Sequence, residues 1–456
     1  MFDKSIVCVL AFGFLSGSAI AQSAPGPARA ATAAPKSLTM ADRREVVENI
    51  ATAAAGRYVD PAGGAKLAAY IRQRLKSGAY DAVSDPIEFS AMITRDLRAA
   101  VQDVHLRAVY EPNRVQPNVR IPTTGPNAAL GGAAGPRSFA RIDARSVEQV
   151  SRTNYGFEAV QRLDGNVGYL KITRFVPLDL SAATAKAAMD FLANTDAVIV
   201  DLRSNIGGSP ELVQQIMSYF TGPQPIQLVA HYTRDGNSTN RLTSLAEVPG
   251  KRMTGKPLYI LTDVHTASSS EMFAYIAQRK RLGTVVGETS SGAGNGGNMI
   301  PAGSGISFFV PLSRVVDGPG WEQTGVKPDI AVEADQALDV AYKSALETLI
   351  ASAIDPGAKR EREWALELAT AGERAKTPAK LSDYEGQFGT RGFKVRDGRL
   401  MVVPAAGEPE RLIRTDAETF RLDNARYTFE RGADGRVTGV KVETLSGTET
   451  HAMKSG

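Results

Sequence analysis

The spacing of apolar residues divides the chain into stretches of different character. Between residues 40 and 104 the apolar positions recur at helical intervals. Val46, Val47, Ile50 and Ala54 share one face; Leu67, Tyr70, Ile71 and Leu75 share another; Ile93, Leu97 and Val101 recur every four residues. The third of these segments opens with Asp85 as an N-cap, Pro86 at the first helical position and Glu88 three residues after the cap. A bundle of three short helices is predicted over 40–110. Residues 111–137 are rich in Pro, Gly and Asn and read as loop, within a linker spanning 111–154.

From about residue 155 the pattern alternates between strand and helix. Val167–Ile172, 197–202 (AVIVDL), 257–262 (PLYILT), Thr284–Gly287 and 306–310 read as strands. Residues 182–194, a segment opening at Ser209-Pro210-Glu211, 271–278 and a closing stretch at 335–353 read as helices. Continuous apolar strands separated by helices predict an α/β layer fold over 155–355. A charged helical connection, 356–379, leads to 380–456, where short strands and the turn pairs Asp397-Gly398, Asp434-Gly435 and Ser446-Gly447 predict a small all-β domain.

Composition narrows the class. The chain has 456 residues, 43% of them hydrophobic and 22% charged, which are ordinary globular values. The net charge of +4 is dispersed, with no basic block to track phosphates, so no nucleic-acid partner is expected. Lys4, the short apolar run 6–15 and Ala19-Ile20-Ala21 predict a signal peptide over 1–21 and a periplasmic or secreted protein, with no membrane insertion after cleavage. An Ala/Pro/Ser-rich flexible leader follows over 22–39. The single cysteine, Cys8, falls inside the signal segment, so the mature chain is expected to have no disulfide, thiol nucleophile or cysteine-bound metal.

Two segments carry candidate chemistry. In 262–274 (TDVHTASSSEMFA) a buried strand runs into a helix, so Ser268, Ser269 and Ser270 sit near free N–H groups and a positive helix end. They either stabilise a developing negative charge or simply cap the helix. In 201–208 (DLRSNIGG) Gly207 and Gly208 follow a second buried strand and could expose backbone N–H groups to a ligand.

These stretches, in this order with 285–294 (VVGETSSGAG) and 325–329 (GVKPD), resemble the S41 serine peptidases, the tail-specific or carboxyl-terminal processing protease family. The resemblance covers roughly residues 40–350. It implies a ClpP/crotonase-like spiral core, a nucleophile at Ser268 and no cofactor or metal. The processing proteases use a lysine 25 residues beyond the nucleophile; here that position is Ala293, and Lys280 lies on the nucleophile's own helix. The chain is instead similar to the branch without a PDZ domain, which includes the tricorn core protease and the interphotoreceptor retinoid-binding proteins. There the base is a histidine upstream of the core, oriented by a glutamate. The D-x-H-L match at 103–106 places His105 as base, and Glu322, three residues before Gly325, as its partner. Val104 stands where the tricorn protease has a serine.

The residues support a histidine independently. A serine hydroxyl needs a nearby base, and imidazole has the best-matched unperturbed pKa. Of the four histidines, His451 lies in the β tail and His231 ends a strand with no other catalytic feature near it in sequence. His265, three residues before Ser268, is the rival to His105. The expected activity is hydrolysis of a peptide or protein substrate through an acyl-enzyme on Ser268. The oxyanion would be held by Gly207 or Gly208 together with Ser269. The alternative is a non-catalytic binding protein for apolar ligands or peptides on the same scaffold. Oligomeric state is not encoded in any motif.

Overall fold

A computed structural model describes residues 36–112, 144–374, 380–404 and 407–455. The signal segment with Cys8, most of the leader and the 113–143 part of the linker lie outside the described residues.

The chain opens with α1 (Met40–Arg57), α2 (Pro61–Lys76) and α3 (Pro86–Ala100). Each has a side-chain N-cap: Thr39, Asp60 and Asp85 accept from the first-turn N–H groups, and Pro61 and Pro86 occupy first-turn positions. Val46, Val47, Ile50, Ala54, Leu67, Ile71, Ile93 and Leu97 are all buried, so the helical spacing marks one shared core. That core extends onto a sheet. The short strand β1 (Arg107–Tyr110) leaves α3 and pairs antiparallel with a much later strand, Arg107 opposite Phe309.

After the linker comes α4 (Ala144–Arg152), a helix where the sequence predicts none. Its composition is polar, and an Arg152–Glu148 pair at 3.0 Å spans one turn, so apolar periodicity could not reveal it. Next are β2 (Phe157–Leu163), β3 (Val167–Ile172), α5 (Leu178–Leu192), β4 (Ala197–Asp201), α6 (Pro210–Ser218), β5 (Gln227–Thr233), β6 (Ser238–Thr243), β7 (Leu258–Thr262), α7 (Ser269–Arg279), β8 (Thr284–Gly287), β9 (Gly296–Gly303), β10 (Ile306–Val315), β11 (Ile330–Ala331), α8 (Ala337–Ala351) and α9 (Pro356–Ala369).

The central sheet has the order β11-β8-β7-β4-β3-β2, parallel except for β2. Alternate residues of each strand bury on opposite faces. Val198 and Val200 pack toward α5, α6 and α7; Ala197 and Ile199 pack toward α8. A second sheet, β1-β10-β5-β6 with β9 beside β10, lies against the N-terminal helices. The C-terminal part is all-β: a four-stranded and a five-stranded antiparallel sheet enclose Tyr384, Phe388, Phe393, Phe420 and Phe429. It is tied to α9, where Arg426 reaches Glu367 at 3.3 Å and the Arg421 guanidinium lies over Trp364. The fold is therefore mixed α/β, with a helical N-terminal part and a β C-terminal part. No helix among the described residues is long and apolar enough to cross a membrane.

Candidate active site

The parallel register Asp201 opposite Leu261 sets the carboxyl ends of β4 and β7 side by side. Crevices outside such ends are where α/β sheets place ligands. The chain leaving β4 carries Gly207 and Gly208; the chain leaving β7 carries Ser268. The two loops touch directly. A β-carbon on Gly207 would lie 2.8 Å from Cβ of Ser268 and 2.9 Å from the Ser269 nitrogen, and Gly207 has φ +95°, so only glycine fits. Ser269 Oγ donates to the Gly208 carbonyl at 2.7 Å. The Gly207 N–H is already given to the Asn205 side chain at 2.9 Å. Among the described residues, those of Gly208 and Ser269 make no such bond, which leaves these two able to meet an anion.

Ser268 is the N-cap of α7, with φ 58° and ψ −121°. A non-glycine residue in this region is strained, and strain of this kind concentrates at functional turns, the strand-to-helix elbow of serine hydrolases among them. Glu271 holds it there. This fully buried carboxylate accepts the Ser268 N–H at 2.7 Å, and on the same oxygen the Ala293 N–H at 2.9 Å. Its other oxygen takes the Gly292 N–H at 2.7 Å and the Ser290 hydroxyl at 2.6 Å. Burial raises the Glu271 carboxyl above its usual range, against these four donors.

The next two N–H groups of that loop turn the other way. Gly294 and Asn295 both donate at 2.7 Å to Glu322. Four consecutive backbone donors, 292–295, thus join the Ser268 turn to the Glu322 segment. Gln323 ties that segment to the end of α3 by donating to the Gln102 carbonyl at 2.6 Å. Ligating atoms of Asp103, His105 and Glu322 lie within 4.8 Å of one another, a grouping whose donor set could also hold a cation. His105 Nδ1 is 3.4 Å from Asp103, without hydrogen-bond alignment, and its ring stacks on Phe309 with centroids 5.6 Å apart. The β1–β10 pairing is what delivers His105 here, since Phe309 is opposite Arg107. Among the described residues, no hydrogen bond joins Ser268 to His105.

Two carboxylates face one imidazole in a buried setting. Burial, and then the charge of Asp103, push Glu322 up to about 7, opposed by His105 and the two N–H donors. Burial also acts to raise Asp103. Its contacts with His105 and the Tyr58 hydroxyl, which donates at 3.0 Å, outweigh that and hold it below its ordinary value. Burial and Asp103 in turn raise the Tyr58 hydroxyl.

The other sequence candidates separate clearly. His265 is exposed, and its backbone N–H caps Asp263. Lys280 caps the far end of α7, about 18 Å from Ser268 at 1.5 Å per residue. His451 is exposed and paired with Glu430 and Glu449 in the β tail. Val104 points to solvent, as does Ile206. His231, remote from catalytic features in sequence, lines a cavity together with Ser268. Sequence reasoning missed Tyr58, for which no signal exists. Asp103 and Glu271 were visible only as motif letters, though Ser268-x-x-Glu271 has the spacing of a capping box.

Comparison with known proteins gives the site a context. Residues 166–332 match the model of peptidase family S41. Carboxy-terminal processing protease CtpB of Bacillus subtilis (strain 168) is 28% identical over 182 residues, 39% of this chain and 36% of that protein. The carboxy-terminal-processing protease of Bartonella bacilliformis is 29% identical over 189 residues, 40% of this chain and 42% of that protein. The chain thus spans about two fifths of the length of these curated relatives. Among solved structures, a photosystem II D1 C-terminal processing protease aligns at 17% identity with a TM-score of 0.42, covering 65% of this chain and 94% of its own. The matched segment contains both loops of the crevice, Ser268 and Glu322, so the part of the chain that builds the crevice is similar to peptidase family S41.

Proposed function

We propose that the protein is a serine peptidase. Ser268 is the nucleophile, His105 the general base and Glu322, with Asp103 behind it, the anionic support of the imidazole. The observation that carries this reading is the loop 292–295, whose consecutive N–H groups link the strained Ser268 turn to the carboxylate beside His105. Asp103 sits on the Nδ1 side of His105, so Nε2 is the nitrogen that takes the Ser268 proton. Ser268 Oγ attacks the peptide carbonyl, and the oxyanion settles on the N–H groups of Gly208 and Ser269. His105 returns its proton to the leaving amine. Water, deprotonated by the same nitrogen, then releases the acyl group. The Ser268–His105 hydrogen bond, which the structure does not contain, forms in the substrate complex, where catalytic contacts close up.

A fluorophosphonate tests this directly. A stoichiometric adduct on Ser268, found by peptide mapping, is expected together with cleavage of an unfolded protein substrate. Folded protein that neither labels nor cleaves would make it a binding protein.

Gly207→Ala supplies a second check. Its methyl would press on Ser268 at a φ that alanine resists. A displacement of about 1 Å at a nucleophile costs on the order of 100-fold. Peptide hydrolysis and fluorophosphonate labelling should slow by about that factor together.

A further inference from the structure

The cavity beside Ser268 has a volume of about 80 Å³. Its apolar wall is Pro210, Leu242, Met272 and Trp321; its polar side is His231, Asn295 and Ser313, and no charged residue lines it. Ser313 has given its hydroxyl to the Gly296 carbonyl at 3.3 Å. His231 has not: it is 8% exposed on β5, and its Nδ1 is buried without a partner. Burial pushes the ring down to about 4, with Asp317 opposing, so at neutral pH it presents an uncharged donor and acceptor.

We propose that this cavity receives the side chain on the acyl side of the scissile bond, and that His231 makes it selective for a compact, uncharged side chain with a hydrogen-bonding tip, threonine before valine. The proposal rests on the peptidase reading above, because only a carbonyl at Ser268 brings that side chain to this wall. The space is several times the ~10–15 Å³ that one water needs, so it admits a side chain of a few heavy atoms such as either of these. A cation or carboxylate would enter without a counter-charge on the lining. Between isosteres, an unpartnered polar group favours the one that satisfies it.

His231 also faces Ser268, so a role as base must be separated from one in selection. With its pKa pushed to about 4, the ring is a poor proton acceptor near neutrality. As a base it would affect all substrates equally; as a selector its effect depends on the side chain.

The experiment compares kcat/KM for peptides differing only at that residue. The wild-type protein should cleave after threonine at least tenfold faster than after valine, and after lysine or aspartate at least 100-fold slower than after valine. In His231→Leu the threonine advantage should vanish or invert, and His231→Gln should restore part of it. Melting temperatures of both variants report their folding, and the wild-type comparison stands without them. A wild-type ratio of one, or an equal loss for every peptide in folded His231→Leu, would overturn the proposal while leaving the peptidase intact. Absence of cleavage of all peptides, with Ser268 unlabelled, would instead remove the peptidase reading and this one with it.

Discussion

His105→Ala should lower kcat/KM for peptide hydrolysis by about 10⁴, and Ser268→Ala should abolish acyl-enzyme formation with a similar or larger loss. The two groups act as one unit, so the double variant should be no slower than the worse single one. Retained folding is expected for Ser268→Ala, whose backbone contact to Glu271 does not involve the hydroxyl. The support behind His105 predicts a pH profile as well. Glu322, raised to about 7 by burial and Asp103, is neutral on the acid side of that value and cannot steady an imidazolium. The rate should therefore fall as pH drops below about 7. Glu322→Gln should be slower throughout, because a neutral amide cannot steady the imidazolium. Stability runs in the opposite direction. A folded-state pKa above the unfolded one contributes stability that is complete below the ordinary glutamate value and is lost as pH rises through about 7. Kinetics from pH 5 to 9, beside melting temperatures over the same range, would show the two trends crossing. A rate unchanged in His105→Ala would refute the assignment.

The sequence carries some levels of this structure better than others. Elements with their own local signal are where the pattern places them: α3 begins with Asp85 accepting from Ile87 and Glu88, and β4 and β7 are the continuous apolar runs. β6, with its polar composition, and β9, which begins Gly296-Gly297, have weak strand patterns and exist because β5 and β10 offer them hydrogen bonds. The same divide runs through the site. Ser268 is legible because a strand-to-helix turn is a local event. His105 and Glu322 are 217 residues apart, and the residues alone give no reason for them to meet. Pairing of β1 with β10 and the Gln323–Gln102 contact make them neighbours, and only the resemblance anticipated it. Tyr58, at the end of α1, comes to Asp103 through the helix packing. The sequence neighbours of His231 lack chemistry, yet β5 turns it toward the cavity that Ser268 lines.

Glu271 is where stability and chemistry meet, and its loss should cost the fold as well as the rate. Each oxygen serves two donors, and they come from two different segments: the nucleophile's turn and the 290–293 loop. Glu271→Ala would leave four buried donors, three of them backbone N–H groups, with water unable to reach them without opening the core. At about 1–3 kcal/mol for each unsatisfied group, even partial relaxation leaves a loss of about 3–5 kcal/mol, a large share of a domain's stability. Glu271→Gln keeps the shape but turns an NH₂ toward two of those donors, so about 2–4 kcal/mol is expected from it. Its effect on hydrolysis should exceed what unfolding explains. Releasing the Ser268 N–H lets the φ 58° turn relax, and releasing Gly292 and Ala293 loosens the loop whose next two N–H groups hold Glu322. Urea unfolding of the Gln variant, with kcat/KM measured at low temperature where it remains folded, separates the two effects. A folded Gln variant of wild-type activity would show that the Ser268 turn does not need this carboxylate.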